Sequence, residues 1–537
     1  LRVTALRTDG SRYALRWRAE GKDRMVILTR DTARVKVTVT PARRTEDQWW
    51  YKTLQVISRG LMMTRTVSVS YTDRFNTTIP GFLPRVGDFF GQNSNAGGLK
   101  PGLDFAFGLT GEGYISRAAE RGWLQMSDSI INPATTARTQ DLQIKATLEP
   151  FRYLKVDLSA SRNVQKARSI QYMYSGMPTT QTGSFSMTTI SIGSAFESLG
   201  SVEKGWPSKT FKRFVASLDA YRERVENRYA GAVYPEGTAL AGQPYDPANG
   251  GVNRYASEVM IPAFLNAYTS GGGGLDIFPA ISKMLPNWTL SYSGLGRLRR
   301  MRRIFRAFNI NHAYRSVYSV GSYSSFTSYR ELMNGVGFIN DVTTGNPVPS
   351  CPFDISTVSI NESFSPLIGV DMTFNNNLTA KVELRRTRVL TLSMTSQQLT
   401  EARSNDIVIG TGYKVTGLNL FAPKRTVRAK QRRRTSTDED GKSKSTAAAQ
   451  PSRGFSSDLN LRLDISFRNQ ASLCRDIPTE LTQATSGNHA VQISFSADYA
   501  LSRLLTLTAY YDRQMNKPLL TSSSYPTTTQ DFGVTLK

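Results

Sequence analysis

Residues 459–467, LNLRLDISF, alternate without a break. Leu459, Leu461, Leu463, Ile465 and Phe467 fall on one side of an extended chain; Asn460, Arg462, Asp464 and Ser466 fall on the other. A period of two marks a strand with one apolar and one polar face. The pattern recurs in VQISFSADYAL (491–501), where Val491, Ile493 and Phe495 alternate with polar neighbours that end in Asp498, and nearly so in LLTLTAYYD (504–512), which ends in Asp512. Such strands must lay their apolar face on the interior of a soluble sandwich or on the hydrocarbon of a bilayer.

Read back from the C-terminus, short turns alternate with long loops. TQDFGVTLK (529–537) is a final strand, 513–528 a polar loop, Ser502-Arg503 a tight turn and 469–488 a long loop. Further back come a strand at 405–415, a loop at 396–404, and LTAKVELRRTRVLTLSM (378–394) rising from an Asn375–Asn377 hairpin turn, where Asn tolerates positive φ. Outer-membrane barrels place short turns in the periplasm and long loops outside. On that map 423–455 is periplasmic, PNWTLSYSGL (286–295) descends, GRLRRMRRIF (296–305) is a basic inner turn, FNINHAYRSVYSV (308–320) rises and 321–354 is an external loop. LQIKATL (142–148) and LKVDLSA (154–160) flank a Glu149-Pro150 turn, and FSMTTISIG (185–193) then descends. That count puts 194–285 inside, whereas the count from the C-terminus puts it outside, so one crossing is unaccounted for. The disputed segment holds the clearest helix, 208–229. Ser208 is its N-cap, and Phe211, Phe214, Val215, Leu218 and Val225 form a stripe that packs on another part of the chain or lies at a membrane interface.

The expected organisation is therefore strands and a short helix in 1–80, a loop region in 81–141, barrel strands in 142–193, a helical or loop insertion in 194–285, barrel strands in 286–422, a basic low-complexity loop in 423–455 and barrel strands in 456–537. The net charge of +25 raises nucleic acid as a partner. The basic residues, however, are scattered through alternating strands or gathered in loops, without an RNP, helix-turn-helix or zinc pattern, so a solvated basic surface is the preferred reading and no nucleic-acid partner is expected. No run of about 18 apolar residues exists, which excludes a helical span but not a barrel, whose strands bury only every second residue. The opening LRVTALRTDG has no basic and apolar leader, as expected of a mature chain or a fragment.

Chemistry has little to work with. Cys351 and Cys474 are too few for a disulfide scaffold, and His312 and His489 are the only imidazoles. The map leaves a Cys351–Cys474 bridge open beside the plainer reading of two unpaired thiols. DGKSK (440–444) lacks the first Gly of a phosphate loop, GTGYKV (410–415) lacks the third Gly of a dinucleotide fingerprint, and DEDG (438–441) lacks the distal Glu of a calcium loop. No catalytic residue, cofactor or metal is expected, and the chain does not read as an enzyme.

Between sandwich and bilayer, the strands decide for the bilayer. They run near the 9–11 residues that cross it at about 45°. Their polar faces carry full charges, which suits a watery lumen lined by Asn460, Arg462, Asp464, Asp498 and Asp512. The lipid-facing set is Leu459, Leu461, Leu463, Ile465, Val491, Ile493 and Phe495. Trp288, Tyr292, Tyr510 and Tyr511 near strand ends form an expected interfacial girdle. The fold class is all-β with minor helices, a transmembrane antiparallel β-barrel of which this chain forms part. Other barrels (a nutrient receptor, which would carry an N-terminal plug not found in 1–80, or a lipopolysaccharide exporter) remain alternatives, as does a basic nucleic-acid-binding β protein, which would be soluble without detergent.

Long ordered blocks carry a family resemblance. LPNWTLSYSGL (285–295), HAYRSVYSVGS (312–322), FSPLIGVDMT (364–373), QQLTEARSNDIVIGTGY (397–413), FSADYALSRLLTLTAYYDRQMNKP (495–518), SSSYPT (522–527) and IPAFLNAY (261–268) resemble the C-terminal part of the SprA/Sov family, while the first 80 residues match least and 424–450 departs from the blocks around it. The resemblance implies one part of a very large outer-membrane barrel in Bacteroidetes, the translocon of type IX secretion, associated with gliding motility. It implies as partners folded cargo with a C-terminal signal domain, a PorV-type small barrel, a periplasmic plug protein and outer-membrane lipid, with energy from a separate inner-membrane motor.

Overall fold

The computed structural model describes residues 2–418 and 458–537, except 21–23, 30–33, 41–62, 86, 88–89, 94–98, 112, 127–131, 175–176, 201–204, 333–334, 342, 502–503 and 521–524. The basic segment 424–450 and the Ser502-Arg503 turn thus lie outside the described residues. The chain divides into two units, 1–65 and 66–537. Among its described residues the first has short strands: β1 (Arg2–Arg7), β2 (Arg12–Tyr13) and β5 (Val35–Thr40) form one antiparallel sheet, and β3 (Trp17–Glu20) pairs with β4 (Arg24–Ile27).

The second unit is built on a 14-stranded sheet. In chain order its strands are β6 (Thr64–Thr78), β7 (Ala134–Phe151), β8 (Leu154–Ile170), β9 (Thr179–Thr188), β10 (Asn287–Tyr292) and β11 (Phe305–Ser325). After a small three-stranded sheet of β12 (Arg330–Glu331), β13 (Gly337–Asn340) and β14 (Pro347–Ser350) come β15 (Phe353–Ile355), β16 (Thr357–Phe374), β17 (Leu378–Ser393) and β18 (Gln398–Val415). The last four are β19 (Leu459–Asp476), β20 (Thr482–Ala500), β21 (Thr506–Pro518) and β22 (Thr527–Leu536). From β16 to β22 each strand pairs antiparallel with the next in sequence. The sheet ends at β6 on one side and β22 on the other, and among the described residues these two edges do not pair. An antiparallel all-β fold with minor helices is the class the alternation called for. Among the described residues no helix is long and apolar enough to cross a membrane.

One lane of the sheet is occupied by two strands. β9 pairs with the far parts of β8 and β11, with Phe185 opposite Val164 and Val320. β10 continues the same lane, with Trp288 opposite Leu158 and Tyr314. The chain leaves the lane after Thr188 and returns before Asn287, and the exit and re-entry touch through Leu285 N donating to Thr188 O at 3.3 Å. The unaccounted crossing is explained by this split: 185–193 and 286–295 are two halves of one descending strand, and the segment between them stands at the end carrying the 394–397 and 477–481 turns. Counting each half as a full crossing caused the conflict.

Several loops expected from the sequence are strand. β19 runs to Asp476 and β20 starts at Thr482, inside the expected 469–488 loop; β18 starts at Gln398, inside 396–404; β21 runs to Pro518, inside 513–528; β11 runs to Ser325, inside 321–354; and β7 starts at Ala134, inside 81–141. The 81–141 stretch also carries short helices at Leu103–Ala106 and Tyr114–Glu120. β7 likewise continues through Glu149 and Pro150 to Phe151, so the turn falls at 152–153, where Tyr153 has φ 74°. The misjudgement has one cause. At 18 to 21 residues, β11, β19 and β20 are far longer than a bilayer requires, and beyond the apolar stretch their alternation is broken by polar and charged residues.

Candidate functional site

Residues opposite one another in antiparallel strands share a face, so the register assigns every side chain to one of two surfaces. Leu459 opposes Val415 and Tyr499; Leu461 opposes Tyr413 and Ala497; Leu463 opposes Thr411 and Phe495; Ile465 opposes Ile409 and Ile493; Phe467 opposes Ile407 and Val491. The row continues through Val382 and Leu384 of β17, Val370 and Ile368 of β16, Ile310 of β11 and Tyr292 of β10 to Leu154 of β8. Towards the other edge it reaches Phe532, Val534 and Leu536 of β22. The seven residues expected to face lipid, Leu459, Leu461, Leu463, Ile465, Val491, Ile493 and Phe495, all lie in this apolar belt. Large side chains in it stand open, with Phe532 80% and Val534 68% exposed. From Leu459 to Phe467 the belt spans about 26 Å along the strand at about 3.3 Å per residue. At the usual tilt of about 35–45° that run accounts for roughly 18–21 Å of the height of an outer-membrane apolar band, which is about 25 Å tall.

The opposite surface is polar. Asn460, Arg462 and Asp464 of β19, Asp498 of β20 and Asp512 of β21 share it, opposed by Lys414, Ser496, Thr508 and Asp531. Charges of both signs are interleaved: Arg462 pairs with Asp464 at 2.7 Å, Lys414 with Asp458 at 2.9 Å, and Arg468 with Asp406 at 3.3 Å. Glycines let strands approach here. A Cβ on Gly410 would come within 2.8 Å of Asp464 Oδ1, which explains GTGYKV as a strand face and not a nucleotide loop.

The girdle is only partly as expected. Trp288, Tyr292 and Tyr511 stand on the apolar face, but Tyr510 opposes Ser496 and Gly533 on the polar one. Adjacent residues of a strand point to opposite sides, so Tyr510 and Tyr511 cannot both line a lipid interface. Trp288 is stacked on Tyr314 at 4.5 Å beside the root of the insertion. The aromatics at the opposite rim went unnoticed in the sequence: Phe305 lies 5.3 Å from Phe308 and 4.7 Å from Phe374.

Beyond the belt, on the same face, the sheet is covered. The segment 189–286 folds back over it with a long helix, Lys209–Glu226, and a nearly all-apolar one, Ser257–Tyr268. Ser208 caps the first by accepting from Phe211 N at 3.1 Å. Phe211, Phe214, Val215, Leu218 and Val225 are buried, so the stripe packs within the chain and not at a membrane interface. The shared core includes Tyr318, Val320, Val358, Ile360, Leu390, Leu392 and Leu399 of the sheet and Phe264 of the second helix.

Between bare belt and covered core runs a row of buried charge. Arg388 pairs with Glu362 at 2.8 Å, the two side chains only 2% and 1% exposed. Glu401 pairs with Arg403 and, at 3.2 Å, with Arg475. Other guanidinium hydrogens of the row donate to carbonyls of the insertion. Arg386 reaches Ala195 O, Arg388 reaches Ser194 O at 2.8 Å and Ser191 O at 3.2 Å, Arg403 reaches Glu197 O, and Arg475 reaches Trp206 O at 2.8 Å. These carbonyls run from Ser191, the N-cap of the short helix Ile192–Ala195, through the end of that helix, where last-turn acceptors lack intrahelical partners, to Trp206 beyond it. Glu362 also accepts from Ser191 Oγ at 2.7 Å and Tyr314 OH at 3.0 Å. The guanidinium fork suits this task because one group can satisfy a carboxylate and two carbonyls at once. None of these residues was singled out in the sequence. The signal was present in VELRRTRVL, where Arg386 and Arg388 replace apolar residues in the alternation between Leu384 and Leu390.

The thiols do not bridge. Both are free: Cys351 Sγ donates to Phe353 O at 3.0 Å, and Cys474 Sγ donates to Gln398 Oε1 at 3.3 Å on the polar face. Burial pushes the Cys351 thiol up to about 12. Beside it, in a cavity of about 240 Å³ lined also by Tyr229 and Phe278, lies Glu258 of the apolar helix. Among the described residues its Oε1 has no hydrogen-bond partner, and burial pushes its carboxyl up to about 7.

Membrane-length antiparallel strands with an apolar belt on one face and a charged face opposite define a sheet of the outer-membrane barrel type. No known family matches the chain in a scan of family descriptions, and no curated protein matches it. Among solved structures it is similar to OmpT, an outer membrane protein of Vibrio cholerae, in its in-vitro folded trimer form. That likeness has 11% sequence identity and covers 76% of this chain and 93% of that one, at a TM-score of 0.18.

Proposed function

We propose that this chain is part of the wall of a wide outer-membrane channel that exports folded protein, as the SprA/Sov resemblance implies, and that it has no catalytic role. The carrying observation is that the 14 strands fill twelve successive positions in one sheet, whose two edge strands, β6 and β22, do not pair with one another among the described residues. An edge in lipid leaves N–H and C=O groups unsatisfied at several kcal/mol each, so the sheet has to close through further strands. Barrel diameter grows with strand number, and barrels of about 16–18 strands already hold an aqueous channel. A barrel to which this sheet contributes only an arc is wider and fits a folded cargo. The polar face then lines the lumen, the belt meets outer-membrane lipid, and the short turns face the periplasm. Cargo with a C-terminal signal domain, a PorV-type barrel and a periplasmic plug are the partners of that reading.

Particle images of the full-length protein in detergent test it. A pore far wider than a porin, with these residues forming one continuous arc, is the expected result. A closed lumen of porin width built from these residues alone, or recovery of the protein in solution without detergent, overturns it.

A further inference from the structure

The end of the sheet opposite the insertion carries a group of arginines for which nothing above accounts. The turn between β10 and β11 reads SGLGRLRRMRRIFR (293–306), with no acidic residue in it. It folds as two short 3-10 turns, 294–297 and 301–303. Two neighbouring turns brace it: Asn375 N donates to Ile304 O at 3.1 Å, Asn375 Nδ2 donates to Arg303 O at 3.0 Å, and Ser293 N donates to Tyr153 O at 3.1 Å. Arg297 lies over the Tyr153 ring at 4.5 Å. Arg299, Arg300, Arg302 and Arg303 are exposed, and none of their guanidiniums has a hydrogen bond or ion pair to a described residue. Single exposed arginines such as Arg152 and Arg222 occur elsewhere, but here four stand within five residues of one turn.

Its position gives it a use. Tyr292 at one end of the turn and Phe308 just past the other belong to the apolar face, and Phe305 and Phe374 close the rim between them. Within the turn, Leu298 and Ile304 are 54% and 53% exposed. Guanidiniums interleaved with exposed apolar side chains at the border of an apolar belt meet a surface that is hydrocarbon on one side and anionic phosphate on the other.

We propose that residues 297–304 form a phospholipid-headgroup collar, in which Arg299, Arg300, Arg302 and Arg303 bind the phosphates of anionic lipid in the leaflet nearest the short turns while Leu298 and Ile304 enter its acyl border. The collar rests on the membrane reading above. Guanidinium favours this ligand because its fork matches two phosphate oxygens and it stays charged at every physiological pH.

The full chain in neutral detergent is titrated with mixed micelles containing either phosphatidylglycerol or phosphatidylcholine, and separately with inorganic phosphate. The wild type is expected to prefer phosphatidylglycerol, and R299Q/R300Q/R302Q/R303Q to lose about tenfold or more of that affinity. The phosphatidylcholine titration should not change, and K209Q/K212Q/R222Q, which removes exposed charge from the insertion, should keep the preference. Equal binding of the two lipids by the wild type, an unchanged preference in the quadruple variant, or saturation by inorganic phosphate that abolishes the lipid preference each overturns the collar. These outcomes leave detergent dependence untouched, whereas solubility without detergent removes the membrane reading itself.

Discussion

The two halves of β19 make the most instructive comparison in the molecule. From Leu459 to Phe467 its odd positions are apolar, and among the described residues no other segment covers them. From Asn469 to Arg475 the odd positions, on the same face, are Asn469, Ala471, Leu473 and Arg475, and the last three are buried at the border of the insertion. Alternation thus reports which face a residue is on, but not what that face meets. Lipid demands an unbroken apolar row because it offers no hydrogen bonds. A folded insertion tolerates charge in the row, provided each guanidinium and carboxylate finds a partner.

The largest expected effect comes from breaking that partnership. Arg388→Ala leaves Glu362 buried without its counter-ion, so a loss of about 3–5 kcal/mol is expected, seen as protease cleavage within 189–286 before the sheet unfolds. Arg388→Met with Glu362→Gln, which removes both charges, should recover much of it. If the single variant is as resistant as wild type, the insertion is not clamped by this row.

In the bare half, Leu461→Arg should destabilise by about 2–4 kcal/mol if it lies near the bilayer midplane. Equilibrium unfolding from lipid vesicles measures it, and a neutral result would detach the belt from lipid.

Within the covered region, Glu258 supplies a pH test. Its carboxyl is raised to about 7 by burial, with Arg228 pulling it down more weakly. In the unfolded chain it titrates near about 4.3. Between those values the folded state holds a proton that the unfolded state lacks, so stability is present at the acid end and falls as pH rises through the window. The insertion should be about 2–3 kcal/mol less stable at pH 8 than at pH 5, and Glu258→Gln should flatten the profile. Amide exchange in Ser257–Tyr268 at the two pH values reads it. A profile unchanged by the substitution would assign the titration elsewhere.

The smallest effect should be at Arg462. Its partner Asp464 is on the open polar face and the arginine side chain is 72% exposed, so Arg462→Leu should change stability by less than about 1 kcal/mol.

What could be read from the sequence follows the same division. The belt, the polar face, the Asn375–Asn377 turn and the 208–229 helix are local patterns, fixed by periodicity or a cap. The split lane is not local. β9 and β10 are neighbours in one strand position only because Thr188 and Leu285 meet, and no spacing along the chain announces that. The charge clamp lay between. Arg386 and Arg388 visibly interrupt an apolar row, but their partners Glu362 and Ser194 come from distant segments, so the sequence could mark the interruption without saying what fills it.

The account turns on β19 having three environments: lipid, protein and water. Single cysteines placed from 459 to 475 in a Cys351→Ser/Cys474→Ser background, spin-labelled in reconstituted vesicles and probed by collision with oxygen and with a water-soluble nickel complex, report all three. The account predicts oxygen-dominated collisions at odd positions 459–467, nickel-dominated collisions at even positions throughout, and protection from both at 471, 473 and 475. Equal nickel access at neighbouring positions of the first half, or an oxygen-accessible row that runs unbroken through 475, would contradict it.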